Sequence, residues 1–175
     1  MSSPIPDGPA PSASAPLTLV GTLSEGAIAQ ALAPFLAGTP IAPNGKGAAL
    51  PSVVVWSDFG DELALHLDST RVLLRDNMLY VSVDTETDQL GRSTIAMALA
   101  IASTEGALGL TAVTEATPRG DPRLIARWGS AVERAVWQGF VSVVMRHAPN
   151  VPSDSIVLRV HPGALAIHSA DASAK

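Results

Sequence analysis

The sequence predicts an α+β domain: a mostly antiparallel sheet of about six to eight strands packed against one long helix over 121–148, with a shorter N-terminal helix over 22–37. Three observations carry this. Asp121 to Ala148 is the longest stretch with sustained helical periodicity and signals at both ends. From Val53 onward the hydrophobic period changes from 3.6 to two. The short strands follow one another through tight turns, which implies antiparallel pairing, with the long helix lying across the apolar face of the sheet.

In chain order, Met1 to Pro16 is rich in Pro, Ser and Ala and has little to bury, so 1–16 reads as a disordered tail. Pro6-Asp7-Gly8-Pro9 has PxxP spacing, which is common by chance. Residues 17–169 read as a single domain and 170–175 as a polar C-terminal tail. Thr22 and Glu25 have the spacing of a capping box, with Leu23, Ala27 and Ala31 on one helix face and Pro34 expected to kink or end the helix. Gly38 to Pro51 is a Pro/Gly-rich loop. Its Asn44-Gly45-Lys46-Gly47 lacks the spacing of a phosphate-cradling loop.

Val53 to Ser57 is a short β-branched run. Glu62 to Asp68 alternates Leu63, Leu65 and Leu67 against polar positions, and Arg71–Arg75 and Met78–Asp84 flank the two-residue turn Asp76-Asn77 as a hairpin. In Thr94 to Ser103, Ala and Met favour helix. The alternation of Ile95, Met97, Leu99 and Ile101 with alanines favours a strand with a close neighbour on its small-residue face. Leu108, Leu110 and Ala112 continue the alternation into Thr114. Ser155–His161 and Ala164–His168 form a last pair of strands around Pro162-Gly163.

The long helix starts at the N-cap Asp121 with Pro122 in its first turn, and ends with Arg146 and His147 before Pro149. At about 100° per residue, Leu124, Trp128, Val132, Val136, Gly139 and Val143 share one face. Arg123, Arg127, Ser130, Arg134 and Gln138 lie opposite. In the second half Trp137, Phe140, Val141, Val144 and Met145 occupy the face that was polar earlier, so the helix must be covered there on both sides.

Composition narrows the function classes. The chain has 175 residues, 47% of them hydrophobic but only 15% charged, so its surface should be poor in charge. A net charge of −5 argues against nucleic acid as the general partner. The absence of cysteine excludes disulfides, thiolate metal sites and a cysteine nucleophile, and fits a cytoplasmic protein. No secretory-signal pattern or apolar run of membrane-spanning length is seen.

No cofactor-binding, metal-binding or catalytic motif stands out, so no cofactor is expected and the chain reads as non-catalytic. Asp58, Asp61, Glu62, His66 and Asp68 gather carboxylates around an imidazole, but a solvated strand face explains them equally. Asp84, Glu86 and Asp88 imitate the start of a calcium loop that Leu90 then breaks. Arg119, Arg123, Arg127 and Arg134 form a basic stripe suited to an anion, an acidic partner or the protein's own acidic loops. Two function classes follow. The first is an interaction or assembly protein that self-associates, most simply as a dimer, through Trp137, Val141, Val144 and Met145. The alternative is a small-ligand binder or small enzyme with an apolar cavity between sheet and long helix, using His66, Tyr80 and His168 as polar groups.

Overall fold

The computed structural model describes residues 16–38, 51–101, 113–114 and 118–170. In order these form β1 (Leu17–Ser24), α1 (Glu25–Leu36), β2 (Val53–Asp58), β3 (Asp61–Arg75), β4 (Met78–Thr87), β5 (Gly91–Ala100), β6 (Val113–Thr114), a long helix α2, β7 (Ile156–His161) and β8 (Ala164–Ala170). Helix α2 runs through an α turn (Pro122–Leu124), a π turn (Ile125–Gly129) and a regular α-helix (Ser130–His147). The α+β class and the long helix are as the sequence predicts. The strands divide into two antiparallel sheets, ordered β1-β8-β7 and β2-β3-β4-β5-β6.

Alternation decides which face each strand buries. Leu63, Leu65, Leu79, Val81, Ile95 and Leu99 point inward from the large sheet, against Trp128, Val132, Val136 and Phe140 of α2 and Ile28, Leu32 and Leu36 of α1. The alanines at 96, 98 and 100 point outward, so the pattern that argued for strand over helix in β5 is the one that sets its faces. The helices meet where Gly139 lies against α1: a Cβ there would stand 2.8 Å from Leu32 Cδ2 and 3.2 Å from Phe35. Trp56 Nε1 donates to the Leu36 carbonyl at 2.7 Å, satisfying a helix-end acceptor, and its ring sits 6.4 Å from that of Trp128.

Strand β2 pairs with only the first half of β3, leaving the edge of the second half open. There the Leu74 N–H donates to the Glu25 carboxylate at 2.7 Å, and the Leu74 carbonyl accepts from the Gly163 N–H at 3.3 Å. The start of α1 and the β7–β8 turn thereby tie the two halves of the molecule together.

Both halves of β3 belong to one strand, where the sequence suggested two. The register slips between His66 and Arg71, because that stretch of β3 faces only Asp84 to Ser82 on β4. Ser69 fills the gap in the ladder: its hydroxyl donates to the His66 carbonyl at 2.6 Å and accepts from the Asp84 N–H at 2.8 Å. At the β3–β4 turn Asp76 and Asn77 have φ of +53° and +58°, the expected hairpin geometry. The β2–β3 turn uses Phe59 and Gly60 at +47° and +88°, which the sequence reading did not anticipate.

The start of α1 differs from expectation. Thr22 is not a helix cap but a β1 residue paired with Ala166, and Ser24 caps the helix by accepting from the Ala27 N–H at 3.2 Å. Pairing with β8 over Leu17–Ser24 outweighs the local capping-box preference. Pro34 lies inside α1, which continues through Leu36. The proposed tail through residue 15, the Asn44–Gly47 loop, the alternation at Leu108 and Leu110, and residues 171–175 lie outside the described residues. No helix among the described residues is long and apolar enough to cross a membrane.

Candidate functional site

The arginine stripe does not act as one patch. Arg127 forms ion pairs of 2.7 Å with Asp58 Oδ2 and 2.8 Å with Asp61 Oδ2, and stacks 4.7 Å above the Trp128 ring. The hydrogen bond to Asp61, then that to Asp58, raises its pKa further above the ordinary arginine value. Arg127 is thus committed to the chain's own hairpin, the structural alternative the stripe allowed. Arg123 stands 3.6 Å from the cap residue Asp121, and Arg134 is exposed on α2. Arg119, which precedes the helix, bridges to Ala96 at the edge of the large sheet, with backbone hydrogen bonds of 2.7 and 2.9 Å.

Two further carboxylates, Asp84 and Glu86, are likewise engaged. Asp84 accepts from Thr94 at 2.8 Å and from Arg92 at 3.1 Å, and these bonds hold its carboxyl below the ordinary aspartate value. Glu86 lies 3.4 Å from His66 Nε2. Among the described residues no group of three or more His, Asp or Glu side chains is placed to hold a metal ion. His66 and Tyr80 share the outer face of the large sheet, whereas His168 belongs to the small sheet, so the three do not converge.

On the long helix, Val144 is fully buried in the chain's own core and is not available for contact with a second copy. Trp137, Val141 and Met145 remain half-buried, with Trp137 packed 5.8 Å from the Phe140 ring. Helix α1 is seated on Gly139, on the face that the sequence assigns to the core.

The distinctive surface is the outer face of the large sheet. Its inner face is covered by both helices. The outer face carries a concavity of about 450 Å³ over β3, β4 and β5. Register defines its construction. Arg71 pairs with Ser82, Ser82 with Ala96, and Ala96 with Arg119, so one cross-strand row has an arginine at each end and two small side chains between. The next row of the same face is Leu73, Tyr80 and Ala98. Beyond it stands Arg75, its guanidinium 5.2 Å above the Tyr80 ring. Among the described residues, none of these three arginines has an ion-pair partner. No known protein family, curated protein or solved structure matches this chain.

A second concavity of about 440 Å³ lies where the β2–β3 and β4–β5 turns meet the start of α2, but Arg127 and Asp61 in its wall are already paired with each other. The first concavity lies on the outer face of the sheet, away from the long helix, whereas the second lies at the end of the sheet against the start of α2. Of the groove residues, sequence reasoning singled out Arg119 and Tyr80 and missed Arg71, Leu73 and Arg75. Their signal was present, since odd positions of 71–75 alternate with the buried Leu74. What ties them to Arg119 is a contact between segments far apart in the chain.

Proposed function

We propose that this chain is a non-catalytic interaction protein that holds another polypeptide against the open face of its large sheet. One observation carries the reading: a sheet covered by helices on one side presents, on the other, a concave surface framed by three arginines that have no acidic partner among the described residues. An antiparallel sheet can leave one face to water, and such faces are ordinarily polar throughout. Here Val53, Val55 and Leu73 stand exposed on it, Val55 at 57%, and Phe59 at the adjoining hairpin tip is 99% exposed. An apolar surface of this kind, rimmed by charge, suits a protein partner.

The test is selection from a random peptide library, followed by chemical-shift mapping of the peptides recovered. The reading expects perturbed amides on β3, β4 and β5. Peptides mapping only to the helix side, or a library yielding none, would overturn it.

Self-association is the second reading, favoured by Trp137, Val141 and Met145 remaining half-exposed after α1 has packed on α2. Symmetric pairing of such a strip gives a dimer. It uses the long helix and not the open sheet face, so the two readings are compatible.

A further inference from the structure

We infer that the partner of the open sheet face is an extended acidic segment with the spacing acid-x-apolar-x-acid; this rests on the docking reading above. Three rows of side chains in the groove specify this spacing. Side chains on one face of a strand recur every second residue, about 6.6 Å apart, and neighbouring strands lie about 4.8 Å apart. Arg71 and Arg119 end a row spanning three strand-to-strand steps, so their backbones stand roughly 14 Å apart across a floor of Ser82 and Ala96. With two arginine side chains along its walls, that width suits a single extended chain better than a helix about 10 to 12 Å across.

Along the strand direction the groove reads charge, apolar, charge: Arg71 with Arg119, then Leu73 with Tyr80 and Ala98, then Arg75. An extended peptide lying along the strands meets this sequence with its own alternate residues. One carboxylate meets the first row, an apolar side chain settles on Leu73 and Ala98, and a second carboxylate meets Arg75. Arginine is suited to the task because its guanidinium can grip a carboxylate through two parallel hydrogen bonds.

Single-stranded nucleic acid fits less well. It needs aromatic faces for successive bases, whereas Tyr80 is the one aromatic lining the groove and Arg75 already lies over its ring. The groove also offers Leu73, 42% exposed, which an apolar side chain would cover and a phosphate backbone would not.

The experiment titrates full-length protein with four probes, followed by amide shifts and fluorescence anisotropy: the peptide GESLSEG, its scramble GSEELSG, the basic counterpart GKSLSKG, and a ten-residue oligothymidylate. GESLSEG should bind at least about tenfold tighter than the scramble and the basic peptide, and shift the amides around Arg71, Tyr80 and Arg119. Arg71→Gln and Arg119→Gln, each checked for an unchanged circular dichroism spectrum, should each weaken it about tenfold; Arg134→Gln, on α2 away from the groove, should not. Equal binding of acidic and basic peptides at this face would overturn the acidic assignment and leave the docking reading standing. Oligothymidylate binding there in place of the peptide would overturn both. So would failure of every peptide, library-derived ones included, to shift the face.

Discussion

Replacing Gly139 by alanine probes the contact that closes the long helix. The new methyl would stand 2.8 Å from Leu32 Cδ2 and 3.2 Å from the Phe35 ring, and Leu32 is fully buried. Two effects oppose each other. Alanine favours a helix interior over glycine by about 0.8 to 1 kcal/mol, whereas overpacking a filled core costs about 1 to 3 kcal/mol. The clash wins, and Gly139→Ala should lose about 1 kcal/mol, lowering the melting temperature by roughly 2 to 4 °C for a chain of this size. Leu32→Ala alone should cost about 2 to 5 kcal/mol through the cavity it leaves. In that background the sign reverses: the Gly139→Ala methyl fills space and keeps its helix preference, so it should stabilise by about 1 kcal/mol, a coupling of about 2 kcal/mol. Urea denaturation of the four proteins measures the cycle. If Gly139→Ala stabilised both backgrounds equally, α1 would not be seated on α2 as described.

Three further outcomes follow from the same packing. Trp128→Ala should cost about 3 to 5 kcal/mol in denaturant melts, because the ring is only 6% exposed and packs on Trp56, whereas Arg127→Ala, at the surface, should cost much less; the reverse ranking would contradict the helical phase. Light scattering at high micromolar concentration should find a dimer for the wild type and a folded monomer for Val141→Glu; a monomeric wild type would remove the self-association reading. Burial first, then Arg159 and His161, lowers the pKa of His168 below its ordinary 6.5, so the folded state resists a proton that the unfolded chain accepts. Its contribution to stability is therefore complete above about pH 6.5 and declines as pH falls from there toward the depressed folded value, a decline that His168→Phe should remove.

The parts of this fold legible in the sequence are those that local periodicity governs. The register of Leu124, Trp128, Val132 and Val136, the Asp76-Asn77 hairpin and the alternation in β5 each depend on neighbours within a few residues, and each stands in the structure as read. Thr22 shows where this stops. Its capping-box spacing is real, but the pairing of β1 with β8 joins the two ends of the domain and overrides it. The division into two sheets has the same origin.

The candidate site was legible only in fragments. Arg119, Arg123, Arg127 and Arg134 look equivalent along the chain, yet the β2–β3 hairpin brings Asp58 and Asp61 to Arg127 while the sheet edge takes Arg119. The three-residue excess in β3 that aligns Arg71 with Ser82 leaves no periodic trace, because its cause is the Ser69 hydroxyl standing in for a ladder partner. A helix wheel puts Val144 beside Val141 because it carries no information on which neighbouring elements pack against α2; in the structure Val144 is fully buried.

A single label tests most directly the proposal that the open face of the large sheet is the protein's working surface. The chain has no cysteine, so Ser82→Cys introduces one thiol at the centre of the groove floor. The folded variant should react with a bulky maleimide at a rate close to that of a free thiol, keep its denaturation midpoint, and lose binding of library-derived peptides once labelled. A thiol that reacts only on unfolding, or a labelled protein that binds those peptides as before, would contradict the claim.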